Sequence, residues 1–173
     1  MVAPARGFTL LEIMVVLVLV GILSSFALLS VGGGPRDRLA EEAQRLAAVI
    51  ELHQQEAILS GEPRGVQFTR AGYAILRQDE KRQWQPPAAD SALIEHRLPE
   101  GLGLALWVEG RPAPLNRPDE RAKPVPQVLL LASGEATEFV AVLGLADDRE
   151  PDAPRYRVAS DAMGRLTAGA ATR

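Results

Sequence analysis

The sequence predicts an α+β protein, a long N-terminal helix packed on an antiparallel, mainly β C-terminal domain. Three observations carry the prediction. From Phe8 to Val31 the chain is apolar, apart from a few small polar residues and one acid. From Leu39 to Ile58 apolar residues recur at three- and four-residue steps, the period of a helix with one buried face. From Gly65 onward short apolar runs alternate with turn residues, the signature of strands and hairpins. The 173 residues, 47 % hydrophobic, suffice for one modest domain beside the N-terminal segment. A net charge of -3 gives no global basic field toward nucleic acid, and the absence of cysteine excludes disulfides, thiol catalysis and cysteine-ligated metal.

The first element is the apolar run. Ile13 to Val31 is a stretch of nineteen residues whose polar members are Gly21, Ser24, Ser25 and Ser30. With Phe8 to Glu12 added, its helix would measure about 36 Å against a hydrocarbon core of about 30 Å. A cleaved secretory signal, with small residues at Ser25–Ala27 or Ser30–Gly32, is one reading. The run exceeds a usual signal core, however, and it opens on an acid, Glu12. A carboxylate in a spanning helix costs about 2.5–3.5 kcal/mol at the centre and less near an end. Glu12 is therefore either tolerated near the interface and the helix N-terminus, or paired with a positive group at the same depth. A cut after Gly7 would create such a group, the ammonium of Phe8.

The stretch Arg6-Gly-Phe-Thr-Leu-Leu-Glu12 resembles the type IV prepilin signal: a short leader with a basic residue, Gly at the cut, Phe next, and Glu fifth in the mature chain. The resemblance implies cleavage between Gly7 and Phe8 by a prepilin peptidase, N-methylation of Phe8, and a role for Glu12 in filament assembly. It also implies a pilin-like fold. The expected organisation is a leader over 1–7, a transmembrane and filament-core helix over 8–31, its continuation over 32–62, and a periplasmic β domain over 63–173.

The second element follows Gly32-Gly-Gly-Gly-Pro35, which is expected to interrupt the helix, since each glycine costs about 1 kcal/mol and an interior proline about 3. Leu39, Ala43, Leu46, Ile50, Ala57 and Ile58 form the apolar stripe beyond it. Glu41 and Glu42 suit the first turn, with Arg38–Glu42 and Glu41–Arg45 four residues apart, and Gly61 and Pro63 end the helix. His53 lies near the stripe and His96 stands in "LIEHRL"; neither has a second histidine close by, so neither reads as a metal ligand.

The strands come next. Residues 65–69 and 73–78 flank a hairpin-length connection at Arg70-Ala-Gly72; 127–132 and 137–144 bracket Ser133-Gly-Glu-Ala136 as another; Arg155 to Ser160 and Gly164 to Ala168 form a last pair around Asp161–Met163. Residues 109–127 hold five prolines and are expected to form a long exposed loop. The patches from Glu42 to Leu143, notably "EAILSGEPRGVQF", "GY" and "LLLASGEATEFVAVL", are similar to minor pseudopilins of the H type. That likeness implies a structural subunit at or near the tip of the periplasmic pseudopilus of the type II secretion system. It would help initiate pseudopilus assembly and protein export across the outer membrane. Implied partners are the other minor pseudopilins (I, J and K types), the major pseudopilin, the prepilin peptidase and the inner membrane, with secreted substrates or the secretin beyond them. The implied location is the inner membrane, single-pass, with the C-terminal domain in the periplasm. The alternative is a minor type IV pilin of the same domain family, serving pilus biogenesis or DNA uptake. That role needs a basic face, and Arg155, Arg157 and Arg165 are offset by Asp147, Asp148, Glu150, Asp152 and Asp161, so no nucleic-acid partner is expected.

No catalytic set is present, no cofactor is implied, and the sequence reads as a non-enzyme. The acidic turn 147–152 lacks the alternating oxygen-ligand spacing and glycine of a calcium loop, and reads as a solvated turn.

Overall fold

The computed structural model describes residues 10–30, 34–79, 81–86, 95–115, 124–146 and 153–171, with side chains on the first helix described as far as Ser24. The chain divides into two compact units, residues 1–34 and 35–173.

In the first unit, Leu10–Ser30 form α1. No proline interrupts its 21 residues, and Leu, Met, Ile and Val side chains cover every side of the helix.

The second unit opens on α2 (Pro35–Ser60). Pro35 begins this helix instead of breaking it, because at the first helical position the missing N–H has no intrahelical partner to lose. Leu39, Ala43, Leu46, Ile50 and Ala57 are buried as their spacing predicts, whereas Ile58 is half exposed. The buried stripe instead takes in Glu42 and His53, which fall on the same helical face. Ser60 closes the helix: its hydroxyl donates to the Glu56 carbonyl at 2.7 Å and accepts from the Glu62 amide at 3.3 Å.

Two antiparallel sheets follow. The first contains β1 (Arg64–Thr69), β2 (Gly72–Gln78), β3 (Trp84–Gln85), β4 (Glu95–Arg97) and β7 (Val128–Leu130), in the order β3-β2-β1-β7, with β4 also paired to β2. The second runs β10-β9-β8-β5-β6 and contains β5 (Leu102–Val108), β6 (Arg111–Pro112), β8 (Phe139–Leu145), β9 (Tyr156–Ser160) and β10 (Leu166–Ala170). The β1–β2 and β9–β10 hairpins form as expected, with β10 starting two residues later than the sequence suggests. α2 lies on the inner faces of both sheets, and one hydrophobic core joins Leu46 and Ile50 to Phe68 and Ile75 of the first sheet and Phe139 and Val158 of the second. Phe68 packs on Phe139 with ring centroids 6.0 Å apart, a tilted pair that ties the sheets together.

Two sequence expectations need correction. The Ser133–Ala136 connection does not close a hairpin. It starts as one, with Leu131 N donating to Glu135 O and Thr137 N donating to Leu129 O. A single bridge, Leu130 to Ala136, is all that pairs before the chain changes sheet, because Phe139 and Ala141 bury their side chains beside β5 and β9. The proline-rich segment is also structured at its described ends. Glu109 (φ 49°) and Gly110 (φ 73°) form a two-residue turn with both residues left-handed, which turns Arg111 and Pro112 back onto β5 as β6. At the far end Pro126 packs on Gly65, where an added Cβ would stand 2.5 Å from the proline Cβ. Gln127 then acts as a strand surrogate: its side chain accepts from Phe68 N at 2.8 Å and donates to Phe68 O at 3.0 Å.

Candidate functional site

Gly7 and Phe8 lie outside the described residues. Glu12 is the third residue of α1 and exposed, in the first turn where unpaired backbone N–H groups favour negative charge. Along α1 every large apolar side chain from Leu10 to Leu23 is between 47 % and 81 % exposed. A helix that is apolar all round has no stable solvent face; it belongs among other apolar helices or in lipid. Among the described residues no helix is long and apolar enough to cross a membrane. Leu10 to Ser24 spans about 21 Å at 1.5 Å per residue, and the apolar sequence continues to Val31.

In the second unit the polar residues buried under α2 form two groups. In the first, His96 of β4 and Glu42 of α2, 54 residues apart, approach to 2.6 Å between Nε2 and Oε2. Both side chains are largely shielded from solvent, and the Tyr73 ring packs against the histidine, tilted by 45° with ring centroids 5.3 Å apart. Burial, reinforced by the Glu42 charge and opposed by Arg45, pushes the Tyr73 hydroxyl well above its ordinary range, so it stays neutral. His96 thus has an acidic partner that the sequence did not suggest, and Glu42 turns inward to it instead of lying along the outer face toward Arg38.

The second group lies at the far end of α2. His53 Nδ1 meets Glu56 Oε2 at 2.9 Å, Glu56 Oε1 meets Arg64 Nη2 at 3.2 Å, and Arg64 Nη1 meets Glu62 Oε2 at 3.1 Å. Arg64 is only 6 % exposed, so these carboxylates neutralise a buried guanidinium where β1 leaves the helix. Burial would raise the Glu56 carboxyl, but hydrogen bonds and charge from Arg64 and His53 outweigh it and hold the group below its ordinary value. Both groups fasten helix to sheet. Among the described residues no three His, Cys, Asp or Glu converge as metal ligands, and the acidic turn 147–152 lies outside them.

Sequence reasoning missed the Glu42–His96 contact, although one signal was there. Leu39, Glu42, Ala43, Leu46, Val49, Ile50, His53 and Ala57 form one unbroken three-four stripe, which places Glu42 and His53 inside. The partner on β4 had no local signal.

Comparison with known proteins completes the picture. Residues 3–28 match the prokaryotic N-terminal methylation motif, and residues 42–164 match the type II transport protein GspH family. The chain is 37 % identical to type II secretion system protein H of Pseudomonas aeruginosa, covering 91 % of each chain. The counterpart from Aeromonas hydrophila is 31 % identical over 92 % of this chain and 91 % of that one. The fold resembles the crystal structure of the minor pseudopilin EpsH of the Vibrio cholerae type II secretion system, with a TM-score of 0.67, 27 % identity, and coverage of 81 % of this chain and 99 % of that one. By its domain, its N-terminal motif and its fold, the chain belongs to the GspH family of type II transport proteins.

Proposed function

We propose that this protein is a minor pseudopilin, a structural subunit at or near the tip of the periplasmic pseudopilus of the type II secretion system, which helps initiate assembly and protein export. The observation that carries the reading is the union of an N-terminal methylation motif, an all-round apolar helix with one acid in its first turn, and a GspH domain. The protein would be held in the inner membrane by one span, with residues 63–173 in the periplasm. A prepilin peptidase would cut between Gly7 and Phe8 and methylate the Phe8 amine. Bundled apolar helices would then replace lipid with each other, and Glu12 would set their register against a neighbour's N-terminal ammonium, because lipid screens that attraction weakly. Its partners would be the I, J and K minor pseudopilins and the major pseudopilin; the role calls for no catalysis.

The test is Glu12→Ala in the full-length protein. The variant should be cleaved as the parent is, yet fail to co-purify with the other pseudopilins and fail to support secretion. Normal complex formation together with normal secretion would remove Glu12 from the account.

A further inference from the structure

Antiparallel pairing puts directly opposite residues on one face of a sheet, so the register of the first sheet sorts its helix-side face into rows. Val66 and Ile75 form the middle row, wholly buried in the core. Phe68, Tyr73 and His96 form the row on one side of it, where Glu42 answers the histidine. Arg64, Arg77 and Gln85 form the row on the other side. Two guanidinium groups there stand opposite each other, an arrangement that is unfavourable unless negative charge serves both. It serves one. Glu56 and Glu62 both pair with Arg64. Among the described residues no carboxylate lies within ion-pair distance of Arg77, and its Nε–H, shielded from water, donates to no acceptor. In the adjoining β2–β3 turn the one described acid, Asp79, accepts from the backbone N–H groups of Lys81 and Gln83 at 2.9 and 2.7 Å, and Lys81 and Arg82 are exposed cations. A buried donor without an acceptor is rare in native proteins, and a group supplied from outside the chain is one reason for it.

The neighbouring flank of α2 leaves apolar surface uncovered. Arg45, Leu52 and Leu59 recur every seven residues and so share one flank of the helix. The charge of Arg45 reaches Tyr73, so this flank borders β2. Glu41 stands one turn before Arg45 and offsets it. Further along, toward the end where Glu56 meets Arg64, Leu52 is 45 % exposed and Leu59 is 87 % exposed.

We propose that Arg77 receives a carboxylate carried by a neighbouring subunit of the filament, whose apolar surface beside that acid packs on Leu52 and Leu59. The proposal rests on the filament role given above and names a contact that serves it. Arg77 lacks a countercharge and the two leucines lack cover; one acidic protein surface supplies both. A free phosphate would satisfy the arginine and leave the leucines in water. A second copy related by a twofold through this row would bring Arg77 against Arg77, and like charges facing across an interface repel. A planar guanidinium takes a carboxylate with two parallel hydrogen bonds, which fixes the partner's orientation as well as its position.

A folding contact and an assembly contact give opposite results at this residue. Arg77→Met removes a cation that the chain alone does not neutralise, and with it the repulsion from Arg64, so the purified full-length variant should melt no lower than the parent. In cells with the complete secretion system the same variant should co-purify with about tenfold less of the other pseudopilins. Arg77→Glu should recover less still, and Arg77→Lys an intermediate amount, since lysine keeps the charge and loses the planar fork. Lys81→Met, in the adjoining turn, should match the parent. The chain has no cysteine, so Gln85→Cys reports on the row directly. Its maleimide labelling from the periplasmic side should be about tenfold slower when the other pseudopilins are present, and adding Arg77→Met should restore the fast rate. A melting temperature lowered by more than about 3 °C in Arg77→Met overturns the proposal, because the arginine would then support the fold. Unchanged co-purification of Arg77→Met overturns it too, as does an equal loss in Lys81→Met. Stabilisation of the purified parent by inorganic phosphate and not by acetate, absent in Arg77→Met, would assign the site to a free oxyanion instead. Arg77-dependent recovery of a second, differently tagged copy overturns the choice of partner. Normal co-purification of Arg77→Met in cells whose protein carries methylated Phe8 defeats this contact alone. A chain never cut at Gly7–Phe8 defeats the filament role itself.

Discussion

Replacing His96 with leucine leaves Glu42 in α2 buried at 7 % exposure with its partner gone. The contact is short, 2.6 Å, and the two side chains are 15 % and 9 % exposed, so solvent screens the pair little. Removing one partner so that a buried polar group is left unsatisfied typically costs about 1–3 kcal/mol, and more where that group is charged. The near-complete burial of Glu42 places the expected loss at the upper end, about 3 kcal/mol. For a domain of this size each kcal/mol lowers Tm by roughly 3–4 °C, so His96→Leu should melt about 10 °C below the parent. The double variant Glu42→Met with His96→Leu removes both polar groups and fills the space with carbon. It should recover most of the loss, since hydrophobic replacement of a whole buried pair is often neutral or stabilising. Thermal unfolding followed by circular dichroism at pH 7, in a four-member double-mutant cycle, measures both effects. A His96→Leu variant within about 0.5 kcal/mol of the parent, or a double variant no more stable than either single one, would refute the reasoning.

Two further outcomes follow from the same architecture. Gly65→Ala would place a methyl group 2.5 Å and 2.7 Å from Pro126 carbons and 3.1 Å from the Trp84 ring, so the return leg of the proline-rich segment must move. A loss of about 1–3 kcal/mol in urea unfolding is expected, and a neutral result would show that Pro126 is not seated on β1. Glu56→Gln tests the network around Arg64 through pH. Because the folded-state carboxyl of Glu56 titrates below its ordinary value, its contribution is present above that ordinary value and fades as pH falls through the lowered one. The half-exposed side chain limits the effect to roughly 0.2–1 kcal/mol. Parent and variant should therefore differ at pH 7 and converge in acid; a constant difference across that range would contradict it.

Much of this fold was legible because its signals are local. The period of Leu39, Ala43, Leu46 and Ile50 marks the buried face of α2, and the short connection at Arg70-Ala-Gly72 pairs β1 with β2 in the observed register. What escaped was set by distant partners. Residues 128–130 and 139–145 look like the arms of one hairpin, yet which sheet each joins depends on β1 and β5, far off in sequence. Glu42 read as a surface acid because Arg38 lies one turn away, and only the placement of β4 reveals why it points inward. Ile58 continues the helical period but lies in the last turn, where the sheets no longer cover it. The prepilin-like signal was readable as a string of residue types, Gly7, Phe8 and Glu12, because its residues lie within six positions of one another in the sequence.

The central claim is that a proteolytic cut creates the positive group that Glu12 meets, and mass spectrometry of the mature N-terminus in membranes of producing cells tests it most directly. The account predicts a chain that begins at Phe8 with a methylated amine. A chain that retains residues 1–7 while secretion proceeds normally, or one that begins at Leu28 or Gly33 after a secretory signal, would contradict it.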